Sequence, residues 1–262
     1  MGFSAQWLAL RDPADRAARD ATVLRAAAKA AGPEPLILDL GCGTGATWRA
    51  LSPFLPEGTR WRLVDNDPDL LRLAAAQIGP DAETVLADLA DSAALPLDGV
   101  TLVTASALLD LVSEAWLHAL VARLDMPFYA ALSYDGQMQW VPEHPQDGAI
   151  TRAFNQHQRR DKGFGAALGP DAGPRALAAF GAAGFSVQQA QSPWQIGPDM
   201  AQLHQELVAG IAQAAQDIGL RDAPDWAHMR QSQMAQAFCT IGHVDILAIP
   251  AAHRSEGQTN AG

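Results

Sequence analysis

Cysteine and tyrosine each occur only twice in this sequence of 262 residues. The cysteines, Cys42 and Cys239, lie far apart and outside any Cys-x-x-Cys or Cys/His cluster, so we expect neither a disulfide framework nor a metal site. Neither Tyr129 nor Tyr134 is followed four residues later by lysine, the spacing that short-chain hydride-transfer enzymes use. The cysteine content favours a reducing, cytoplasmic setting.

Long apolar runs and an excess of positive charge are also missing. No run reaches the roughly 18 apolar residues needed to span a bilayer, and the first residues carry charges where a signal peptide would be apolar. Lys and Arg number 18 against 29 Asp and Glu, a formal net charge of -11. The missing apolar run leads us to expect no membrane partner. Because a protein of this charge repels a polyanion at long range, we expect no nucleic acid as partner either.

What the sequence does contain is an alternation of strand-like and helical segments between Leu36 and Ser133. The strand-like segments LILDL, RWRLVD, ETVLAD, VTLVTAS and FYAALS include nearly continuous apolar runs. Such runs, separated by helical patterns, are typical of a parallel sheet buried on both faces. The sequence therefore predicts a doubly wound α/β fold, with residues 35–250 as the main domain.

Additions to this domain are predicted at three places. Residues 1–34 are expected to form an N-terminal cap whose helical pattern runs from Trp7 to Ala30. The rhythm breaks at residues 134–175, an insert rich in Gly, Pro and Gln that is long enough to serve as a lid or binding segment. A helical insertion is predicted at residues 198–238, and residues 251–262 are expected to be a disordered tail.

Three glycines, Gly41, Gly43 and Gly45, follow the first strand in the segment GCGTGA. A glycine-rich turn between a strand and a helix is typical of adenosine-cofactor binding, because it lets the backbone approach a ligand closely. Asp65 ends the next strand, where a carboxylate can accept hydrogen bonds from a ribose diol. The loop and this acid fit NAD as well as another adenosine cofactor.

Three further features favour a sulfonium cofactor over a dinucleotide. Asp39 precedes the glycines inside the strand, where an acid would repel a pyrophosphate but can organise a cationic or zwitterionic ligand. In the segment LADLAD, Asp88 can accept from an adenine amine and the Leu89 N–H can donate to a ring nitrogen. Ala105 and Ser106 end a later strand with small side chains that leave room for a ligand.

The segments LDLGCGTGATWRAL, LVDNDPDLL, LADLAD and LVTASALLDLV, in this order, resemble motifs I, post I, II and III of the class I S-adenosylmethionine-dependent methyltransferases. The resemblance extends from Leu36 to about Ser133. It implies a seven-stranded, mostly parallel, Rossmann-like sheet that ends in an antiparallel pair. It also implies S-adenosyl-L-methionine as the cofactor and S-adenosyl-L-homocysteine as the product.

Residue by residue, the resemblance implies that the glycine loop lies under the methionine and ribose parts of the cofactor. Asp65 would hold the ribose hydroxyls, and Asn66 would flank the adenine ring. Arg19, from the leading helix, would pair with the methionine carboxylate. The predicted cofactor-binding residues are Arg19, Asp39, Gly41, Cys42, Gly43, Gly45, Asp65, Asn66, Asp88, Leu89, Ala105 and Ser106.

Two candidates for a catalytic base lie outside the set of predicted cofactor-binding residues. Transfer to an oxygen acceptor requires a base, and Asp110 and His157 are the candidates. His157 belongs to the segment FNQHQRRDKGFG, in which Arg159, Arg160 and Lys162 concentrate positive charge. A solvated charged face explains this cluster as well as an anion-binding lid does. On the second interpretation, Arg159 or Arg160 binds an anionic acceptor.

The sequence thus predicts transfer of a methyl group from S-adenosylmethionine to a small-molecule acceptor, with an anionic acceptor as the more specific hypothesis. Two alternatives stay open at this point. One is a protein that binds the cofactor without turnover, and the other is an NAD-dependent oxidoreductase.

Overall fold

A single mixed sheet forms the centre of the computed structural model, which describes residues 3–251. Its strands are β1 (Leu36–Leu40), β2 (Arg60–Asp65), β3 (Ala82–Leu86), β4 (Leu102–Ser106), β5 (Phe128–Val141), β6 (Phe185–Gln191), β7 (Trp194–Ile196) and β8 (Phe238–Pro250). Most of the predicted tail, residues 252–262, lies outside the described residues.

Helices connect and cover these strands. They are α1 (Ala5–Ala18), α2 (Ala21–Ala30), α3 (Ala46–Leu51), α4 (Pro68–Ile78), α5 (Glu114–Val121), α6 (Asp147–Gln158), α7 (Ala172–Ala182), α8 (Ala201–Asp217) and α9 (Ala223–Ser232). The predicted continuous helix to Ala30 is interrupted, because Asp20 begins a new helix by accepting the backbone N–H groups of Thr22 and Val23.

The strand order β3-β2-β1-β4-β5-β8-β6, with β7 paired to β8, confirms the predicted doubly wound fold. Strands β1 to β5 pair in parallel, and β8 runs antiparallel to both of its long neighbours. All five residues of β1 are buried because helices cover both faces of the sheet. On one face α5 and α7 pack against Leu36, Leu38 and Leu40, while on the other α2, α3 and α4 pack around Ile37.

The fifth strand differs from the prediction. It does not end at Ser133 but continues to Val141, and its outer half pairs with β8 as far as Phe238. The sequence predicts the start of an insert there because residues 134–175 are rich in Gly, Pro and Gln and break the strand and helix pattern. Two irregularities in the pairing bend the strand at this point, and Gly136 adopts a φ of 87° that favours glycine.

A third hydrophobic core lies beyond the outer half of β5. Helices α1, α6, α8 and α9 and strand β7 contribute to it, around the buried rings of Trp140, Trp194 and Trp226. The core packs the N-terminal helix α1 against β7 and the C-terminal helices. As a result, α1 is held where it can cover the carboxyl ends of β1 and β4.

Candidate functional site

The glycine loop between β1 and α3 is a tight turn in which all three glycines have positive φ, at 65°, 52° and 84°. The backbone N–H groups of Gly41 and Cys42 both donate to the carbonyl of Val64, at 2.9 and 3.1 Å. A Cβ atom at Gly43 would lie 3.1 Å from Leu8 Cδ1 in α1. Glycine is required here both by the backbone conformation and by the close approach of the covering helix.

A cavity of about 290 Å³ opens above this loop. It lies at the carboxyl ends of the parallel strands, the usual position of ligands in doubly wound sheets. Seven of the twelve predicted cofactor residues line it, namely Gly41, Cys42, Asp65, Asn66, Asp88, Leu89 and Ser106. The predicted motifs therefore converge on one enclosed space, although they are separated by up to about 65 residues in sequence.

Asp65 is the acid most firmly oriented toward the cavity. One carboxylate oxygen accepts the N–H of Gly43 at 2.9 Å, and the other accepts the N–H of Asp67 at 3.1 Å. Each oxygen can accept a further hydrogen bond, so the carboxylate remains able to hold two hydroxyl groups. The same contact with Gly43 fixes the glycine loop relative to β2.

Asp88 and Leu89 lie at the far end of the cavity. Asp88 is exposed, and its carboxylate accepts the N–H of Ala90 at 2.9 Å. Leu89 is buried, and its carbonyl accepts the indole N–H of Trp116 at 2.6 Å. These contacts hold the backbone at the position where the sequence predicts adenine recognition.

Asp39 lies behind the cavity wall and does not line it. Its side chain is 1% exposed; one carboxylate oxygen accepts the Thr104 hydroxyl at 2.8 Å, and the other has no hydrogen-bond partner among the described residues. Burial raises the pKa of this carboxyl to about 6. An incompletely paired buried acid beside the cavity-lining hydroxyls of Thr47 and Ser106 is suited to a cationic ligand.

Arg19 also lies behind the cavity wall rather than in it, and its role toward the methionine carboxylate stays a prediction. Its guanidinium donates to the Ser106 hydroxyl at 2.8 Å and contacts the hydroxyl of Tyr129 at 3.5 Å. Tyr129 in turn donates to Asp245 at 3.3 Å. Arg19 is buried because it follows α1 directly and the chain turns there into α2, so its side chain supports the tip of β4 from below.

Arg11 and Asp15 are the charged residues of α1 that line the cavity, and sequence reasoning missed both. They form a buried ion pair, with Arg11 Nε 2.9 Å from an oxygen of Asp15. The indole of Trp194 donates to Asp15 at 2.9 Å, and the Arg11 guanidinium lies 5.1 Å from the centre of the same ring system. The available signal was the one-turn spacing of Arg11 and Asp15.

The two proposed bases do not reach the cavity lining. Asp110 has one buried carboxylate oxygen without a hydrogen-bond partner among the described residues, and burial raises the pKa of its carboxyl to about 6. Its neighbours Leu108 and Leu111 line the cavity instead. His157 lies behind the cavity-lining Lys162. Its Nδ1 is 3.4 Å from Lys162 Nζ, and its Nε2 is 3.7 Å from Asp217.

Arg159 and Arg160 do not line the cavity, so its geometry gives no support to their predicted role in acceptor binding. Both are exposed because they follow the end of α6 on the outer surface. Arg159 pairs with Asp171 at 3.0 Å, and Arg160 donates to the carbonyl of Asp217 at 2.9 Å. Lys162 is the cation of this segment that lines the cavity.

Two general properties of residues 3–251 complete the site. None of their His, Cys, Asp and Glu side chains form a group of three or more that could hold a metal ion. Across the same part of the chain, the helices are too short or too polar to cross a membrane.

The sequence of residues 37–126 matches a family described as a methyltransferase domain. No curated protein matches the chain. The matched region contains the glycine loop, Asp65, Asp88 and the strand tip at Ser106. It therefore covers most of the cavity wall.

Solved structures share the fold at low sequence identity. The YcgJ protein of Bacillus subtilis is 17% identical, with a TM-score of 0.53 over 88% of this chain and 99% of that one. A candidate methyltransferase of Bacillus halodurans is 14% identical, with a TM-score of 0.55 over 88% and 98%. The candidate methyltransferase in a complex with the Trm112 methyltransferase activator of Haloferax volcanii is 19% identical, with a TM-score of 0.51 over 91% and 92%.

The strand order is that of the class I, Rossmann-like methyltransferase fold, and the family match places the methyltransferase motifs in the first half of its sheet. The match indicates an S-adenosylmethionine-dependent methyltransferase domain at residues 37–126, and S-adenosylmethionine is the cofactor that this class of domain uses.

Proposed function

We propose that this protein transfers the methyl group of S-adenosylmethionine to a small-molecule acceptor bound in the same cavity. The observation that carries the proposal is the set of three acids around the glycine loop. Asp65 and Asp88 offer acceptors to the cavity, and Asp39 supplies a buried negative charge behind it. This set suits a ligand that carries hydroxyl groups, an amine and a positive charge.

The residues present fit the cofactor along its length. Asp65 would accept the ribose hydroxyls, while Asp88 and the backbone of Leu89 would recognise the adenine. The glycine loop leaves room for the methionine part, and Arg11 replaces Arg19 as the residue proposed to bind the methionine carboxylate, because Arg11 lines the cavity. When bound, the cofactor supplies a methyl group on a positively charged sulfur.

The acceptor part of the cavity is small and largely apolar. Leu108, Leu111 and Phe164 line it, together with Leu8 from the covering helix. The whole cavity, which the cofactor would share with the acceptor, has a volume of about 290 Å³, and a concave site of this size favours a small molecule over a macromolecular substrate. These side chains would align the acceptor and exclude water, which are the main requirements for direct transfer between two bound molecules.

The two alternatives predict different results in two measurements. Calorimetry with S-adenosylhomocysteine, S-adenosylmethionine and NAD is expected to show binding of the first two and none of NAD. Incubation with a metabolite extract and methyl-labelled S-adenosylmethionine is expected to give a labelled small molecule. Tight NAD binding without S-adenosylhomocysteine binding would refute the proposal, and cofactor binding without any labelled product would favour the binding protein.

A further inference from the structure

Lys162 is the cavity-lining charge that the proposed cofactor site leaves without a role. Five charged side chains line the described cavity: Arg11, Asp15, Asp65, Asp88 and Lys162. The first two pair with each other, and the next two face the proposed ribose and adenine positions. We propose that Lys162 binds an anionic group of the methyl acceptor, a carboxylate or a phosphate. The inference rests on the proposed function and adds the chemical class of the acceptor.

The loop that carries Lys162, residues 161–166, is a fixed wall of the cavity. A carboxylate oxygen of Asp161 accepts the N–H groups of Gly163 and Gly165, at 2.7 and 3.0 Å. Just beyond the loop, the backbone N–H groups of Leu168 and Gly169 donate to carbonyls of the 110–112 segment. These contacts hold both ends of the loop, so Lys162 is presented at a defined position.

Phe164 connects this wall to the adenine end of the cavity. Its ring meets Trp116 edge to face, with the centres 5.7 Å apart. Trp116 donates to the carbonyl of Leu89, whose N–H is proposed to contact adenine. Phe164 and Lys162 both line the cavity. The loop that carries them is therefore packed, through Trp116, against the backbone proposed to bind adenine.

His157 positions the Lys162 ammonium from behind. Because an ammonium group can only donate, the contact of 3.4 Å makes His157 Nδ1 the acceptor and places its Nε2–H toward Asp217. The charged groups around Lys162 are Arg160, Asp110 and Asp217. His157 is therefore a positioning residue, in place of its predicted role as a base.

The chain offers a direct test because lysine occurs only at Lys29 and Lys162. Protein labelled with 15N at the lysine side chains gives one ammonium signal for each. Lys29 lies exposed in α2 and serves as the internal control. The protein, saturated with S-adenosylhomocysteine, is titrated at constant ionic strength with sodium acetate and, separately, with inorganic phosphate.

The expected result is that at least one of the two anions shifts the Lys162 signal and that the shift saturates at an anion concentration below about 50 mM. The Lys29 signal should not shift in parallel. Lys162→Gln should weaken binding of that anion at least tenfold in calorimetry, whereas Lys162→Arg and the double variant Arg159→Gln/Arg160→Gln should retain it. A Lys162 signal whose chemical shift does not change with either anion, or equal shifts of both lysine signals, would overturn the inference. Failure of S-adenosylhomocysteine to bind would instead overturn the proposed function, so the two failures are distinguishable.

Discussion

The acids around the glycine loop differ in how completely the protein satisfies them. Asp65 accepts two backbone N–H groups, so its negative charge is stabilised before any ligand arrives. Asp39 is buried, accepts the Thr104 hydroxyl through one oxygen and leaves the other oxygen without a hydrogen-bond partner among the described residues. The first acid is thus a preorganised part of the loop. Ionising the second, Asp39, is unfavourable because the carboxylate is buried, and a bound cationic ligand would stabilise its charge.

Replacing Asp65 by Asn is expected to weaken S-adenosylhomocysteine binding by about 1.5 to 3 kcal/mol, the range for hydrogen bonds to a charged group. The amide retains one acceptor oxygen but turns a donor toward a hydroxyl or N–H group. Calorimetry measures the change. The matched control is Asp69→Asn, an exposed acid whose pairing with Arg72 lies outside the cavity lining. Equal affinities of the Asp65 variant and the parent protein would place ribose binding elsewhere.

Asp39→Asn is expected to stabilise the free protein at alkaline pH and weaken its affinity for the methyl donor. The folded-state pKa of about 6 exceeds the ordinary value of 3.8, so the stability that protonation of Asp39 contributes is complete below pH 3.8. This contribution is lost as the pH rises through 6. The variant lacks the titration and should exceed the parent by up to about 3 kcal/mol at pH 8.

Urea denaturation of both proteins from pH 4 to pH 8 measures this difference, which should shrink toward pH 4. Calorimetry with S-adenosylmethionine tests the second part, because the cationic ligand loses its buried counter-charge. A variant that is less stable than the parent at pH 8, or that binds the donor equally well, would contradict the assigned role.

Among the elements, α6 and α9 are joined by a buried cluster beyond the outer half of β5. Arg230 is 0% exposed, pairs with Asp147 and lies 5.1 Å from the ring centre of Trp140. The indole of Trp226 donates to the same Asp147 carboxylate at 2.8 Å. None of these residues lines the cavity, so the cluster attaches the C-terminal helices without touching the proposed cofactor.

Arg230→Met is therefore expected to lower the free energy of unfolding by about 3 kcal/mol, because Asp147, whose side chain is only 17% exposed, would lose its counter-charge. Thermal and urea denaturation measure the loss. The exposed Arg221, between α8 and α9, provides the control variant Arg221→Met, which should change little. Adding Asp147→Asn to the first variant should recover part of the stability. The folded fraction of every variant should bind S-adenosylhomocysteine normally.

The sequence predicted the elements whose periodicity is unambiguous and missed those that depend on tertiary contacts. The buried strands β1, β2 and β4 and helix α4 follow from apolar runs and capping residues. The extension of β5 was missed because its polar residues are accommodated by pairing with β8, a strand about 100 residues later. Nothing local indicates such pairing.

The site shows the same division. The positions of Asp65 and Asp88 follow from motif spacing within consecutive strand and loop units, so they could be predicted. Arg11 and Arg19 lie eight residues apart on or next to one helix, and which of them meets the cavity depends on how α1 docks on Trp194 and the glycine loop. That docking is a property of the third core, which the sequence pattern did not reveal.

For the whole molecule, the formal charge of -11 sets the range of partners. We expect no binding of a fluorescent RNA or DNA oligonucleotide at physiological salt, because polyanion binding depends on a surplus of Lys and Arg on the surface. Anisotropy measures this, with the same titration at 20 mM salt to expose any weak electrostatic attraction. Binding that persists at physiological salt would argue for a nucleic-acid substrate and against the small-molecule acceptor.

The position of β8 has a consequence for how the protein is made. This strand lies between β5 and β6, yet it is the last of the three to leave the ribosome. At about 5 to 20 residues per second, roughly 5 to 20 s pass between synthesis of the end of β5 and the end of β8. During that interval the edge of β5 opposite β4 and the strand β6 have no partner strand, a situation that favours association with other nascent chains. The pairing of β5 and β6 through β8 is therefore completed only late in translation. Chaperones that shield strand edges are expected to raise the yield of folded protein.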